Sequence, residues 1–429
     1  MVLDLETEAW ARTPSGIRLP HGSFLANWLS YMDDQETAHE FDLWAGLWLI
    51  SCAVGRRVVV PRPRAPVYLN LYAALIGDSG IVRKSSAIRE AALLARPLLR
   101  DTTIKLMNSK MTAERLDRLL HERTMDHGCA QAAIAISELA TFMGHEGYTA
   151  NMPALLTDLY DCHDTRDGAG TQAEGPIVQR DVWVSFLTAS TPTWLLKTVN
   201  PVVSEGGFTS RCLFICASKP KRRIAWPAPV DPNQGTQRER LLAQLTAIKT
   251  SIRIAVPIDQ LALHRFRTWY DAREPAVDPF LSTFEAREDS HILRAAAMFA
   301  INDGSWSINQ DDMRQAISLI TAVKKTSSAV FSRAGERSRY GIGVEVMRTI
   351  LMSAGMDPVP RGIMFRRMSR YIDHTEFVAM LDILEQFGAI QRFVLQNERG
   401  IGRPTEYIRG TQQLLAPGLG DRIVTKLAI

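Results

Sequence analysis

Apolar and polar positions along this chain fall into blocks that change character three times. In residues 23–65 the segment FDLWAGLWLISCAVG is apolar on nearly every side, which predicts a helix buried all round. GRRVVVPRPRAPVY then breaks helicity with three prolines. It leads into YLNLYAALIG, a continuous apolar run closed by a glycine, the pattern of a strand covered on both faces. DSGIVRKSS follows, and then the amphipathic helix AIREAALLARPLLR. QAAIAISE, DVWVSFLTAS and RCLFICAS read as three more buried strands. Strands separated by helical stretches predict an α/β sheet with parallel strands.

After about residue 219 the pattern changes. KPKRRIAWPAPVDPNQG, rich in prolines and bases, predicts an exposed connection, and the chain from there to about 330 is mostly helical. SRAGERSRYGIG is a polar, basic linker, and 342–411 form a compact last unit. There VEVMRTILMSAG, RGIMFRRMSRYI and HTEFVAMLDILEQFGAI are three helices, the third with Thr375 near its start. QRFVLQ and PTEYIRG flank NERGIGR, a glycine-turned hairpin with arginines at its tip. Three helices and a β-wing predict the winged-helix variant of helix-turn-helix.

Composition narrows the class. With 46% hydrophobic and 22% charged residues over 429 positions, the chain is globular, neither fibrous nor disordered, and long enough for two or three domains. A formal charge of +4 permits a nucleic-acid partner without requiring one. No apolar stretch is long enough to span a membrane, and the acidic start MVLDLETEAWARTP is unlike a signal peptide. Five scattered cysteines without a CxxC pair predict reduced thiols and a cytoplasmic location. Cys162 beside His163 lacks a second ligand pair at metal spacing.

Candidate chemistry sits in the strand–loop–helix at 71–97. A phosphate loop needs glycines that let backbone N–H groups approach oxygens, a lysine for the β/γ-phosphates, a hydroxyl for Mg²⁺, and a helix start whose dipole favours anions. Gly77 and Gly80 supply the turn, Lys84 the cation, Ser85 the metal hydroxyl, and Ser86 a second hydroxyl. The spacing departs from G-x-x-x-x-G-K-[ST]: the two glycine positions hold Asp78 and Arg83. An ordinary strand-to-helix turn with a chance Lys-Ser is the alternative.

Such a site also needs an acid at the end of a neighbouring strand. Glu138, closing AAIAISE, fits, and Ser137 stands before it where an Asp is usual and can bond a metal-held water. Thr188 and Ser190, in LTASTP, are candidate γ-phosphate sensors. Arg211, after the Gly206-Gly207 turn, is a candidate arginine finger for a neighbouring subunit's nucleotide. Arg294, on an apolar helix where an unpaired arginine is costly, is a candidate second sensor. For each of these a structural role is the alternative.

Together GDSGIVRKSS, AIAISE, LTASTP, GGFTSRCLF and HILRAAAMFAI resemble a family of P-loop ATPases of phages, plasmids and other mobile elements. These often sit beside primase-polymerase domains and are taken to be RecA-like or AAA-like replicative helicases. The likeness covers roughly residues 25–330, and the order of the motifs is its specific part. Members often carry Arg-Lys and small or hydroxyl residues at the loop's end, as Arg83-Lys84-Ser85-Ser86 does. The resemblance implies ATP, Mg²⁺, a homo-oligomeric ring, and roles for Lys84, Ser85, Glu138 and Arg211; a primase or polymerase would be a separate polypeptide. The last unit adds Arg366, Arg367, Arg370, Arg399 and Arg403, placed to meet DNA phosphates, with protein docking as the alternative.

The expected architecture is α/β: a P-loop NTPase parallel sheet with helical N-terminal and lid segments, plus a C-terminal winged helix. Its parts are an N-terminal helical region (1–65), an ATPase domain with helical lid (66–330), and a linker with the winged-helix domain (331–429). Two functions follow: an ATP-driven DNA helicase or translocase in mobile-element replication, or a nucleotide-switched initiator or loader without motor activity. A pure interaction module with a degenerate loop is a third.

Overall fold

In the computed structural model, the described residues are 10–12, 16–142, 151–168, 177–198, 207–226, 234–251, 253–273, 279–337, 339–355, 357–369, 372–395 and 405–415. The chain divides between Ser328 and Ala329 into two compact units.

Five parallel strands form the first unit's sheet: β1 (Tyr72–Ile76), β2 (Lys105–Met107), β3 (Gln131–Ile136), β4 (Trp183–Ser190) and β5 (Leu213–Cys216). Their order across the sheet is β5-β1-β4-β3-β2. Every residue of β1 and β4 is buried, as expected for strands covered on both faces. The edge strand β2 escapes the sequence pattern because three residues are too few to show a period.

Helix α1 (Phe24–Tyr31) and helix α2 (His39–Val54) precede the sheet. From Phe41 to Val54 every residue of α2 is buried, as its all-round apolar sequence predicts. It lies against α1, against the loop helix α3 (Lys84–Leu99), and against β4. The N-terminal helices are therefore not set apart from the sheet: one core cluster runs from Ile17 through Trp44, Trp48, Leu75 and Leu187 to Val323. Helix α4 (Ala113–His127) leads into β3. After β5 come helices α5 (Gln234–Thr250), α6 (Gln260–Asp271), α7 (Pro279–Asn302) and α8 (Gln310–Arg337).

In the second unit, helices α9 (Arg339–Ser353), α10 (Arg361–Met368) and α11 (His374–Gln386) precede a hairpin of Ile390–Leu395 with Thr405–Gly410. Val359–Pro360, a pair the sequence pattern misses, adds a third strand against Thr405–Gly410. Met347, Leu351, Met364, Phe377, Leu381 and Ile408 share its core. Helix α11 starts at a reciprocal cap: Asp373 accepts from the Glu376 N–H, and Glu376 accepts from the Asp373 N–H.

Candidate nucleotide site

Parallel strands carry their loops to one edge, and the register shows which residues reach it. Ile76 stands level with Ser190 of β4 and Cys216 of β5. Ile136 stands level with Thr188, so Ser137 and Glu138 extend to the same edge as Ser190. The acid's strand is not next to the loop's strand: β4 lies between them.

The turn from Gly77 to Arg83 joins β1 to α3. A methyl on Gly77 would lie 2.5 Å from Val82 Cγ2 and 2.7 Å from the Ala217 carbonyl oxygen. Glycine is needed there for close packing against the end of β5. Gly80 has φ 76° and open space around it. Arg83 caps α3 with φ 43° and ψ 41°, left-handed values that glycine adopts freely and other residues rarely. Thus Arg83 takes the conformation natural to the glycine it replaces. No side chain caps the helix start and no acid lies in its first turn, so the positive dipole end is left open to an anion.

Lys84 is half-buried and its ammonium folds back over the turn, donating to the carbonyl oxygens of Gly77 (2.6 Å) and Asp78 (3.1 Å). Burial lowers its pKa, while the charges of Asp78 and Glu138 act in the opposite direction. Ser85 and Ser137 line the same open cavity, of about 360 Å³, together with Arg89, Arg96 and Asn108. Ser86 donates its N–H to the Arg83 carbonyl. Ser190 donates its hydroxyl to the Thr191 carbonyl at the edge. Thr188 lies two residues further in, fully buried, its hydroxyl without a hydrogen-bond partner among the described residues.

Two candidates are not in this group. Arg211 ends a short helix before β5, at the opposite edge of the sheet, where it pairs with Asp161 at 2.7 Å. Arg294 on α7 lies over the Tyr160 ring, 4.6 Å from its centroid, and donates to Asn70, which precedes β1. Asn70 is seven residues before Gly77, roughly 20 Å along an extended chain. Arg294 therefore lies by the start of β1, at the end of the strand opposite the loop.

The KPKRR stretch is also less free than its sequence suggests. Lys221 reaches into the fold to pair with buried Asp42 at 2.6 Å, and Arg222 pairs with Asp33. Burial pushes Asp42 up to about 6 despite the lysine beside it. In the second unit Arg366 and Arg367 are exposed on α10, whereas Arg370, Arg399 and Arg403 lie outside the described residues. His163, beside Cys162, pairs with Asp158 at 3.0 Å. All five cysteines are free thiols. Among the described residues, no group of three or more His, Cys, Asp or Glu is placed to hold a metal ion, and no helix is long and apolar enough to cross a membrane.

Two residues at the loop edge were not singled out by sequence: Asn108, just past the short β2, and Glu36, which pairs with Arg83. Neither carries a local motif, because each gains its place only by folding.

No protein-family model matches this chain, and no curated protein does. Among solved structures, a full-length MCM homologue from Methanopyrus kandleri is similar at a TM-score of 0.41 and 16% identity, over 70% of this chain. The match spans 59% of that chain.

Proposed function

We propose that this chain is an ATPase that binds ATP and Mg²⁺ at the Gly77–Lys84 turn and uses hydrolysis to move along or unwind DNA. One arrangement carries the reading: an open, uncapped helix start bearing Lys84, at the sheet edge where Glu138 also ends its strand. In this reading Lys84 holds the β/γ-phosphates and Ser85 the metal. Ser137 holds a metal-bound water, Glu138 polarises the attacking water, and Ser190, better placed than Thr188, faces the γ-phosphate. Gly77, Gly80, Arg83 and Ser86 complete the loop. Arg211, remote from its own loop, serves only in trans, which requires a ring of copies. The second unit is a winged helix that meets DNA phosphates through Arg366, Arg367, Arg370, Arg399 and Arg403. The setting is replication of a mobile element, with priming done by another polypeptide.

DNA-stimulated ATP turnover, measured on wild type and Lys84→Ala, tests the proposal. No turnover by the wild type on any DNA would sink it. A second reading rests on Ser137, which leaves the metal without the usual strand-end aspartate. There the chain is an initiator or loader switched by nucleotide, expected to bind ATP tightly, turn it over negligibly, and keep its DNA binding in Glu138→Gln. Robust strand separation excludes it.

A further inference from the structure

A non-glycine residue in left-handed conformation carries a strain cost, because its Cβ crowds the following carbonyl oxygen. Glycine would remove that cost at position 83, so the side chain of Arg83 needs its own account. Its guanidinium reaches Glu36, in the turn between α1 and α2, with Nε at 3.2 Å and Nη2 at 3.1 Å. The other Glu36 oxygen accepts the Ile224 N–H at 2.8 Å. Ile224 belongs to the strap that follows β5, which is anchored from Lys221 into Asp42 and from Arg222 to Asp33. One carboxylate therefore ties the phosphate turn to the strap. The Ile224 hydrogen bond and then Arg83 keep that carboxyl below its usual range, so it is a charged link.

Both cations of the turn rest on protein oxygens: Lys84 on two carbonyls, Arg83 on Glu36. A triphosphate brings several negative charges to the same few ångströms and competes for both. We propose that Arg83 is a phosphate-sensing arm whose resting partner is Glu36, and that its transfer to bound nucleotide loosens the strap at Ile224. The proposal rests on the nucleotide site described above. Glu36 acts as a positioning residue. The pair is exposed, so its loss changes the local opening equilibrium by up to about five-fold.

Hydrogen exchange of the peptide containing Ile224, with and without a non-hydrolysable ATP analogue and Mg²⁺, tests this on the full chain. Nucleotide binding is measured in parallel by calorimetry. In wild type the analogue should speed exchange about two- to five-fold. At saturating analogue Arg83→Gly should exchange fast throughout and show no response. Glu36→Gln should behave likewise, and Glu36→Asp should restore part of the response. Binding with unchanged exchange in wild type, or an Arg83→Gly chain that still responds, overturns the proposal alone. A wild-type chain that binds no analogue overturns it together with the nucleotide reading.

Discussion

The two edges of the central sheet are built from the same strands and differ in how their charges are held. At the edge where the strands begin, Arg211 and Arg287 share Asp161, Arg294 and Arg211 both lie over the Tyr160 ring, and His291 bonds the Ser210 carbonyl. Burial, and then Arg294, push His291 down to about 3, so it stays neutral. At the edge where the strands end, Ser190 and an uncapped helix start lie near the turn, and the Lys84 ammonium donates to the carbonyl oxygens of Gly77 and Asp78. The first edge places its cations on the Tyr160 ring and on the Asp161 carboxylate. The second keeps a cation and free helix-start dipoles where a ligand can reach them. Count of charged residues does not identify a site; what those charges already touch does.

The sharpest way to break this contrast is to remove one cation from each edge. Lys84→Ala should weaken binding of an ATP analogue by about 10- to 100-fold, the worth of charge-assisted hydrogen bonds. Arg294→Met should leave binding within about twofold and stability little changed, since buried ions often exchange for apolar groups without loss. Titration of a fluorescent analogue decides, and equal losses in the two variants would erase the difference between the edges. Next in size is Gly77→Ala, whose methyl would press on Val82 and the Ala217 carbonyl. It should cost about 1–3 kcal/mol in urea unfolding, as overpacking does, and displace the turn. A mutant as stable as wild type would show that the turn is looser than described.

The smallest effect concerns acids buried away from both edges. Burial pushes Asp312 up to about 7 and Asp303 up to about 6, above an unfolded value of 3.8. The folded chain then holds more protons than the unfolded chain between about pH 4 and 7. These two groups therefore stabilise it most below that window, and their contribution falls as pH rises through it. Thermal melts should show a few degrees lost between pH 5 and 8 from this pair. Asp312→Asn should flatten that slope, because the amide oxygen still accepts the Asn309 N–H that Asp312 accepts at 3.0 Å. An unchanged slope would place the pH dependence elsewhere.

Much of the scaffold was legible from residue order. The unbroken apolar runs around Tyr72–Ile76 and Trp183–Ser190 became central parallel strands because a strand covered on both faces has no polar side to alternate. The all-round apolar helix at His39–Val54 became buried for the same reason. The amphipathic helix behind the Gly77 loop followed from local sequence, although it begins at Lys84, three residues before the expected Ala87. Local sequence could not say that β4 would separate the loop from Glu138, since strand order is set by long-range packing. Nor could it say that Arg294 would face Tyr160, that Lys221 would turn inward to Asp42, or that Glu36 would meet Arg83 from 47 residues away. Periodicity reports which face of an element is apolar, a property of neighbours in the chain. Which charges pair, and which remain open to a ligand, depends on segments brought together by burial, and only the tertiary structure decides that.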